Sequence, residues 1–150
     1  MRILRLRAYY APELMASSHL EEDMAAACKK YDITSINYTP TPTRGISENI
    51  RREYRNRKYE EMYDGHVIVH RFSMFREGKN PIQRAFRYIC CNIKEYFLGI
   101  REKEVDIVHS GSTPPTQGML SVMVAKKLSK SISAKFLLCT IYRMCSQTLW

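Results

Sequence analysis

What the chain lacks excludes several classes of protein. No run of residues approaches the roughly 18 consecutive apolar side chains that a transmembrane helix needs. Arg2, Arg5 and Arg7 interrupt any apolar segment near the N-terminus, so the sequence does not predict a signal peptide. We therefore expect a cytoplasmic protein, and peripheral contact with the inner face of the cytoplasmic membrane stays open.

Motifs of several enzyme classes are also absent. The sequence contains no GxGxxG fingerprint, no Walker-type phosphate loop and no nucleophile elbow, so nicotinamide-dependent, P-loop and α/β-hydrolase activities have no motif behind them. The five cysteines form no CxxC pair, which indicates reduced thiols. His66 and His70 would share a strand face, but no Cys and no third His lies nearby in sequence, so strand-end histidines are the favoured interpretation over a metal site. We expect no metal and no cofactor.

The chain carries more positive than negative charge. The net charge is +9, from 24 Lys and Arg against 15 Asp and Glu. This balance favours an anionic partner, which could be membrane lipid, phosphate groups or nucleic acid. The 10 tyrosines could serve nucleic acid, yet no RNA-binding signature accompanies them, so we expect no nucleic-acid partner.

Apolar runs and helical periodicity alternate along the chain, which predicts an α/β protein. Strands are predicted at residues 3–6, 32–38, 66–72 and 105–110, and helices at residues 19–30, 47–63, 81–103 and 117–130. Such alternation implies right-handed crossovers and a parallel sheet with helices on both faces.

Small polar loops follow the first and fourth predicted strands. Ser17 and Ser18 are good N-cap types, and Glu21 follows at the spacing of a capping box. The second loop, residues 111–116, is rich in small residues and proline. Both loops should open at the carboxyl edge of the sheet, where such folds bind ligands. An ordinary first βα unit that binds nothing remains an equal alternative.

Two predicted helices are strongly basic. The helix from residue 47 has a solvated basic face by default, with a phosphate or lipid contact as the alternative. The helix at residues 81–103 is amphipathic, and its apolar stripe could lie on an anionic membrane. We expect instead that the stripe covers the sheet. The stripe consists of Ile82, Phe86, Ile89, Ile93, Tyr96, Phe97 and Ile100.

Three segments together resemble a known family. The patterns YYAPEL…SSHL, DGHVIVHRF and SGSTPPTQGMLSVMVAKKL are similar to the N-terminal half of family-4 glycosyltransferases, in the branch that makes bacterial O-antigen and capsule. The resemblance covers residues 1–130. It implies half of a GT-B fold, that is, one Rossmann-like domain that is incomplete at its C-terminus.

The resemblance also implies a function and a site. Such enzymes transfer a sugar, here of the hexosyl or N-acetylhexosaminyl type, from a nucleotide sugar to an acceptor that we expect to be a lipid-linked saccharide. The N-terminal domain holds the acceptor, and no metal is required. Ser17 and Ser18 would meet the donor phosphate, while Ser112 and Thr113 would hold sugar hydroxyls. The residues expected to line the cleft are Glu13, Ser17, Ser18, His19, Ser112 and Thr113. No catalytic residue is assigned.

The resemblance stops after residue 130. The family continues with a stretch like YNLQDxFPDSL, whereas this chain reads CTIYRMCSQTLW. The codons of this tail, read one frame over, can spell YNLQDVFPDSL, and the junction of Met144 with Cys145 must give valine. We therefore expect residues 131–150 to be an out-of-frame tail and the chain to be inactive alone; the downstream DNA decides this. A non-catalytic basic α/β module that binds anionic lipid or nucleic acid, and a remnant that folds poorly, are the competing hypotheses.

Overall fold

The computed structural model describes residues 1–13, 18–78, 80–110, 116–129 and 135–138, with backbone alone at Ser18, Ser110, Ser129 and residues 135–138. The strands are β1 (Arg2–Leu6), β2 (Thr34–Pro40), β3 (Tyr59–Met62), β4 (Val67–Phe72), β5 (Ile107–Ser110) and β6 (Lys135–Leu138). The helices are α1 (Ser18–Lys30), α2 (Glu48–Asn56), α3 (Pro81–Gly99) and α4 (Thr116–Ser129). Among these residues, no helix combines the length and the apolar character needed to cross a bilayer.

The strands form one sheet in the order β3-β4-β2-β1-β5-β6. All neighbours pair in parallel except β3 and β4, which are antiparallel. Without the antiparallel strand β3, the order is β4-β2-β1-β5-β6. If these five strands are renumbered 1 to 5 along the chain, their order is 3-2-1-4-5, which is the doubly wound arrangement of Rossmann-like domains. The predicted α/β fold with a parallel sheet is confirmed.

A hydrophobic core covers each face of the sheet. On one face, α3 and α4 pack over β1 and β5, around buried Leu4, Leu6, Val108 and Val124. On the other face, α1 packs its Ala25 and Cys28 against strands β2 and β4. The prediction of helices on both faces is therefore also confirmed.

Residues 59–62 form an edge strand, and the predicted continuation of the second helix to residue 63 is wrong. Helix α2 begins as predicted, with the Ser47 hydroxyl accepting a hydrogen bond from the Ile50 amide at 3.4 Å. It ends at Asn56, after which β3 pairs with β4. Glu60 on this strand binds buried Arg71 at 2.6 Å. Charged side chains suit an edge strand, because they discourage pairing with a further strand.

Helix α3 turns most of its apolar stripe away from the sheet, and the prediction holds only for Tyr96 and Ile100, which pack against the core. Asn80 caps the first turn of α3 and Pro81 opens it. The inward residues are Arg87, Cys91, Glu95 and Gly99. The exposed residues are Ile82 at 77%, Phe86 at 58%, Ile89 at 55%, Ile93 at 52% and Phe97 at 53% of full accessibility. We call these five side chains the α3 stripe.

Gly99 explains how α3 comes close to the sheet at its C-terminal end. A Cβ atom there would lie 3.2 Å from Cγ1 of Val124 and 3.4 Å from Cδ2 of Leu6. Distances this short leave little room for any larger residue. The helix ends at this point, before the predicted end at residue 103.

The predicted tail lies partly inside the sheet. Strand β6 falls within residues 131–150 and pairs in parallel with β5. Residues 130–134 and 139–150 lie outside the described residues, and a strand does not reveal a reading frame, so the out-of-frame tail at residues 131–150 stays a prediction.

Candidate functional site at the carboxyl edge of the sheet

The last residues of β1 and β5 meet at the carboxyl edge of the sheet. Leu6, the last residue of β1, is in register with Tyr38 of β2 and with Ser110, the last residue of β5. The chain reverses direction across the sheet between β1 and β5, which is the point where doubly wound folds place ligands. The last residues of β1 and β5 are therefore neighbours at this edge, while residues 14–17 and 111–115 of the two predicted loops lie outside the described residues.

The predicted cleft residues fall into three groups. Glu13 is buried in the loop after β1, and His19 is exposed in the first turn of α1. Ser18 is the first residue of α1. Ser17, Ser112 and Thr113 lie outside the described residues, so their assigned roles stay predictions.

Glu13 ties the loop after β1 to the loop after β2. Its Oε1 accepts hydrogen bonds from the backbone amides of Thr43 at 2.7 Å and Arg44 at 2.8 Å. Burial raises the pKa of this carboxyl above its usual range, although the two amides and the charge of Arg87 oppose the rise. Since Glu13 is only 3% exposed, its side chain fixes loop geometry and offers little surface to a ligand.

Arg87 of α3 connects three loops at the carboxyl edge of the sheet. Its guanidinium is fully buried, and Nε donates to the carbonyl of Phe75 at 3.1 Å while Nη2 donates to the Thr43 hydroxyl at 3.2 Å. The same group lies 5.9 Å from the ring centre of Tyr9. One side chain of α3 therefore contacts the loops that follow β1, β2 and β4.

Glu95 lies one turn of α3 beyond Cys91 and is fully buried. Its Oε2 accepts a hydrogen bond from Nε2 of Gln117 at 2.5 Å, and its Oε1 accepts one from the Cys91 thiol at 3.4 Å. Burial raises the pKa of this carboxyl to about 8, against the opposing effects of these donors and of Arg87. At neutral pH Glu95 is therefore protonated, next to the first turn of α4.

A second polar cluster joins β1 to α1. The carboxylate of Glu21 binds Nη2 of Arg5 at 3.0 Å and both terminal nitrogens of Arg7. Burial alone would raise the pKa of Glu21, but the hydrogen bonds and charges of the two arginines outweigh it and lower the pKa. Glu21 thus joins α1 to β1; its predicted capping role stays a prediction, because Ser17 and the Ser18 side chain lie outside the described residues.

His109 of β5 lies beside this cluster and is neutral. Its backbone is in register with Arg5. Burial, together with the charges of Arg5 and Arg7, lowers the pKa of its imidazole to about 4. Burial of Arg5 itself, together with the positive charge of Arg7, lowers the pKa of Arg5 to about 10. Two guanidinium groups against the one carboxylate of Glu21 leave a net positive charge near β1 and β5, which can attract an anion.

Sequence reasoning missed Arg87 and Glu95, although the sequence carried a signal for them. They lie eight residues apart with Cys91 midway, so they share the polar side of an otherwise apolar helix. A charged pair at this spacing predicts a polar face, but it does not tell whether that face is turned to solvent or to the sheet.

No family model and no curated protein matches the chain. The fold is similar to that of a solved structure described as trehalose-6-phosphate from E. coli bound with UDP-2-fluoro glucose, with 10% sequence identity and a TM-score of 0.46. The match covers 92% of this chain and 32% of that one, so the chain spans about a third of the solved protein.

Proposed function

We propose that this chain is the acceptor-binding half of a GT-B glycosyltransferase of bacterial surface polysaccharide synthesis. It would take part in the transfer of a hexosyl or N-acetylhexosaminyl group from a nucleotide sugar to a lipid-linked saccharide. The observation that carries the proposal is the carboxyl edge, where buried Arg87 and Glu13 hold three loops together beside the strand-order reversal. The three-segment resemblance to family-4 glycosyltransferases supports it.

The chemistry of such a reaction suits a positively charged edge. Negative charge develops on the leaving diphosphate in the transition state, and preorganised donors and positive charges stabilise it. The strands that the structure describes form a single sheet, whereas enzymes of this type close two domains over the donor. We therefore expect the isolated chain to bind nucleotide sugars without transferring the sugar.

Ligand-observed NMR with a panel of nucleotide sugars tests the proposal. The chain is expected to give saturation-transfer signals from at least one donor. Replacing both predicted phosphate contacts (Ser17→Ala with Ser18→Ala) should weaken the signals several-fold, because each loses a hydroxyl donor to phosphate. Ser73→Ala, an exposed serine at the end of β4, is the matched control and should leave them unchanged. Absence of any signal, or equal loss in both variants, would contradict the proposal.

A second candidate function is a non-catalytic module that binds anionic lipid. The α3 stripe favours it, because the exposed basic residues Lys94 and Arg101 accompany this apolar surface and the one acidic residue of α3, Glu95, is buried. Binding to anionic vesicles without any response to nucleotide sugars would favour this module. Salt-dependent binding of arbitrary DNA or RNA would point to nucleic acid instead.

A further inference from the structure

A cleft of about 500 Å³ lies at the carboxyl ends of β2 and β4. Its walls are the loop after β2 at residues 41–43, one side of α2, and the loop after β4 at residues 74–76. The backbone amide of Thr41 donates to the carbonyl of Phe72 at 2.9 Å, which joins the two loops at the base. The cleft is offset by two strands from the strand-order reversal between β1 and β5.

The cleft carries an excess of positive charge. Four arginines and one glutamate line it: Arg51, Arg52, Arg55, Arg76 and Glu48. Glu48 is already bound to Arg51 at 2.7 Å. No described residue forms an ion pair with the other three arginines, which are exposed. Like charges that converge in a concave site repel one another, and an anion relieves that repulsion.

The walls of the cleft are held by buried groups. The Thr43 amide is bound to Glu13, and the Thr43 hydroxyl accepts from fully buried Arg87. The same guanidinium binds the carbonyl of Phe75 on the opposite wall. Both walls are therefore fixed before a ligand arrives, which reduces the entropy cost of binding.

An apolar surface continues directly from the cleft. Phe75 lines the cleft and also an adjoining groove bordered by Met74 and Cys90. The ring of Phe75 stacks on Phe86, with 5.9 Å between ring centres. Since Phe86 belongs to the α3 stripe, a ligand with phosphate in the cleft could lay a hydrocarbon chain along that stripe.

We propose that this arginine cleft binds the phosphate groups of a diphosphate-bearing amphiphile, whose hydrocarbon chain contacts Phe75 and the α3 stripe. Guanidinium groups match phosphate oxygens in planar, two-pronged hydrogen bonds, and several of them suit a diphosphate better than a single phosphate. The inference rests on the proposed function, in which this ligand is the anionic part of the acceptor.

Calorimetric titration of the full 150-residue chain with inorganic pyrophosphate and with farnesyl diphosphate tests the inference. Both should bind, and farnesyl diphosphate should bind more tightly because its chain buries apolar area. The double variant Arg52→Gln with Arg55→Gln should weaken both ligands by about tenfold or more, through loss of charged hydrogen bonds. The matched control, Lys30→Gln with Lys58→Gln, removes two exposed positive charges outside the cleft and should change affinity less than about twofold.

Vesicles of phosphatidylglycerol distinguish the two possible sources of phosphate. If the cleft holds a discrete diphosphate, excess vesicles should not abolish pyrophosphate binding. Displacement of pyrophosphate by vesicles would assign the cleft to bulk lipid headgroups and overturn the inference. Failure of the wild-type chain to bind pyrophosphate, or equal weakening in the two double variants, would also overturn it. Equal affinity for pyrophosphate and farnesyl diphosphate would contradict the proposed contact between a hydrocarbon chain and the α3 stripe.

This experiment contains no nucleotide sugar. A chain that binds diphosphate through the cleft but never responds to nucleotide sugars would contradict the proposed function alone. A chain that responds to nucleotide sugars but not to pyrophosphate would contradict the cleft assignment alone.

Discussion

Glu95 makes the stability of this protein depend on pH near neutrality. Burial raises the pKa of its carboxyl from 4.5 to about 8. Between these values the folded state binds a proton that the unfolded state releases, so the stability it contributes is complete below pH 4.5 and is lost as pH rises towards 8. His109, with a lowered pKa of about 4, acts in the opposite direction, and its contribution is lost as pH falls below 6.5.

Glu95→Gln is expected to remove the loss above neutral pH. For the wild type, the free energy of unfolding should fall by on the order of 1 kcal/mol between pH 7 and pH 8, from one pKa unit of linkage. The amide imitates the protonated carboxyl and cannot ionise, so the variant should lose this slope. Urea denaturation followed by circular dichroism at both pH values measures it.

Glu104→Gln is the control for this experiment, because the Glu104 side chain is 81% exposed. It should keep the slope of the wild type. An unchanged slope in Glu95→Gln would show that the carboxyl of Glu95 is ionised in the folded protein and accessible to water.

Arg87 stabilises the fold through its hydrogen bonds to the Phe75 carbonyl and the Thr43 hydroxyl. Arg87→Met keeps an unbranched chain of similar length but leaves the Phe75 carbonyl and the Thr43 hydroxyl without their donors. We expect the free energy of unfolding to fall by about 2 kcal/mol or more, since hydrogen bonds to charged groups are worth roughly 1.5–3 kcal/mol. Urea denaturation at neutral pH measures the loss.

The comparison for this variant is Arg84→Met on the same helix. Arg84 is half exposed and pairs with Glu77 at 3.2 Å, a type of contact worth about 0–1 kcal/mol. Equal losses in the two variants would contradict a special role for the buried arginine.

At the scale of elements, α3 determines how much apolar surface the molecule exposes. Five large apolar side chains on one helix are more than half exposed. Exposed apolar surface of this kind indicates an interaction site. Met119 and Met123 of α4 are also exposed, at 66% and 48%, so the helix layer that contains α3 has a largely apolar outer side.

Ile93→Ser tests the orientation of α3. Because Ile93 is about half exposed, the substitution should change the free energy of unfolding by less than about 0.5 kcal/mol while weakening binding to anionic vesicles. Leu4→Ala, in the buried core, should lower the free energy of unfolding by about 2–5 kcal/mol. Thermal or urea denaturation and vesicle sedimentation provide the two readouts. A loss of more than about 2 kcal/mol for Ile93→Ser would show that the stripe packs against the sheet.

At the scale of the molecule, the buried arginines and the exposed arginines lie in different places. Arg5 and Arg7 are largely buried and share the carboxylate of Glu21, and fully buried Arg87 donates to a loop carbonyl and a loop hydroxyl. The arginines of α2 and the loop after β4 border an open cleft. The exposed arginines of this cleft therefore give the carboxyl edge a local excess of positive charge, where an anionic ligand would approach.

The sequence by itself determined the alternation of strands and helices, and with it the parallel sheet and its functional edge. Short apolar runs and helical periodicity are local properties that survive in any tertiary context. The caps at Ser47 and Asn80 are local for the same reason, because a hydroxyl or amide oxygen meets an amide only a few residues away.

Only the tertiary structure decided which side of α3 faces the sheet and whether residues 59–62 form a helix or a strand. Periodicity shows that a helix has two unlike faces, but neighbouring loops decide which one is needed inside. Here two loops present a carbonyl and a hydroxyl group that Arg87 satisfies, and helix α4 presents the Gln117 amide, which donates to Glu95. Strand β3 depends on pairing with β4, which no local pattern in its own four residues encodes.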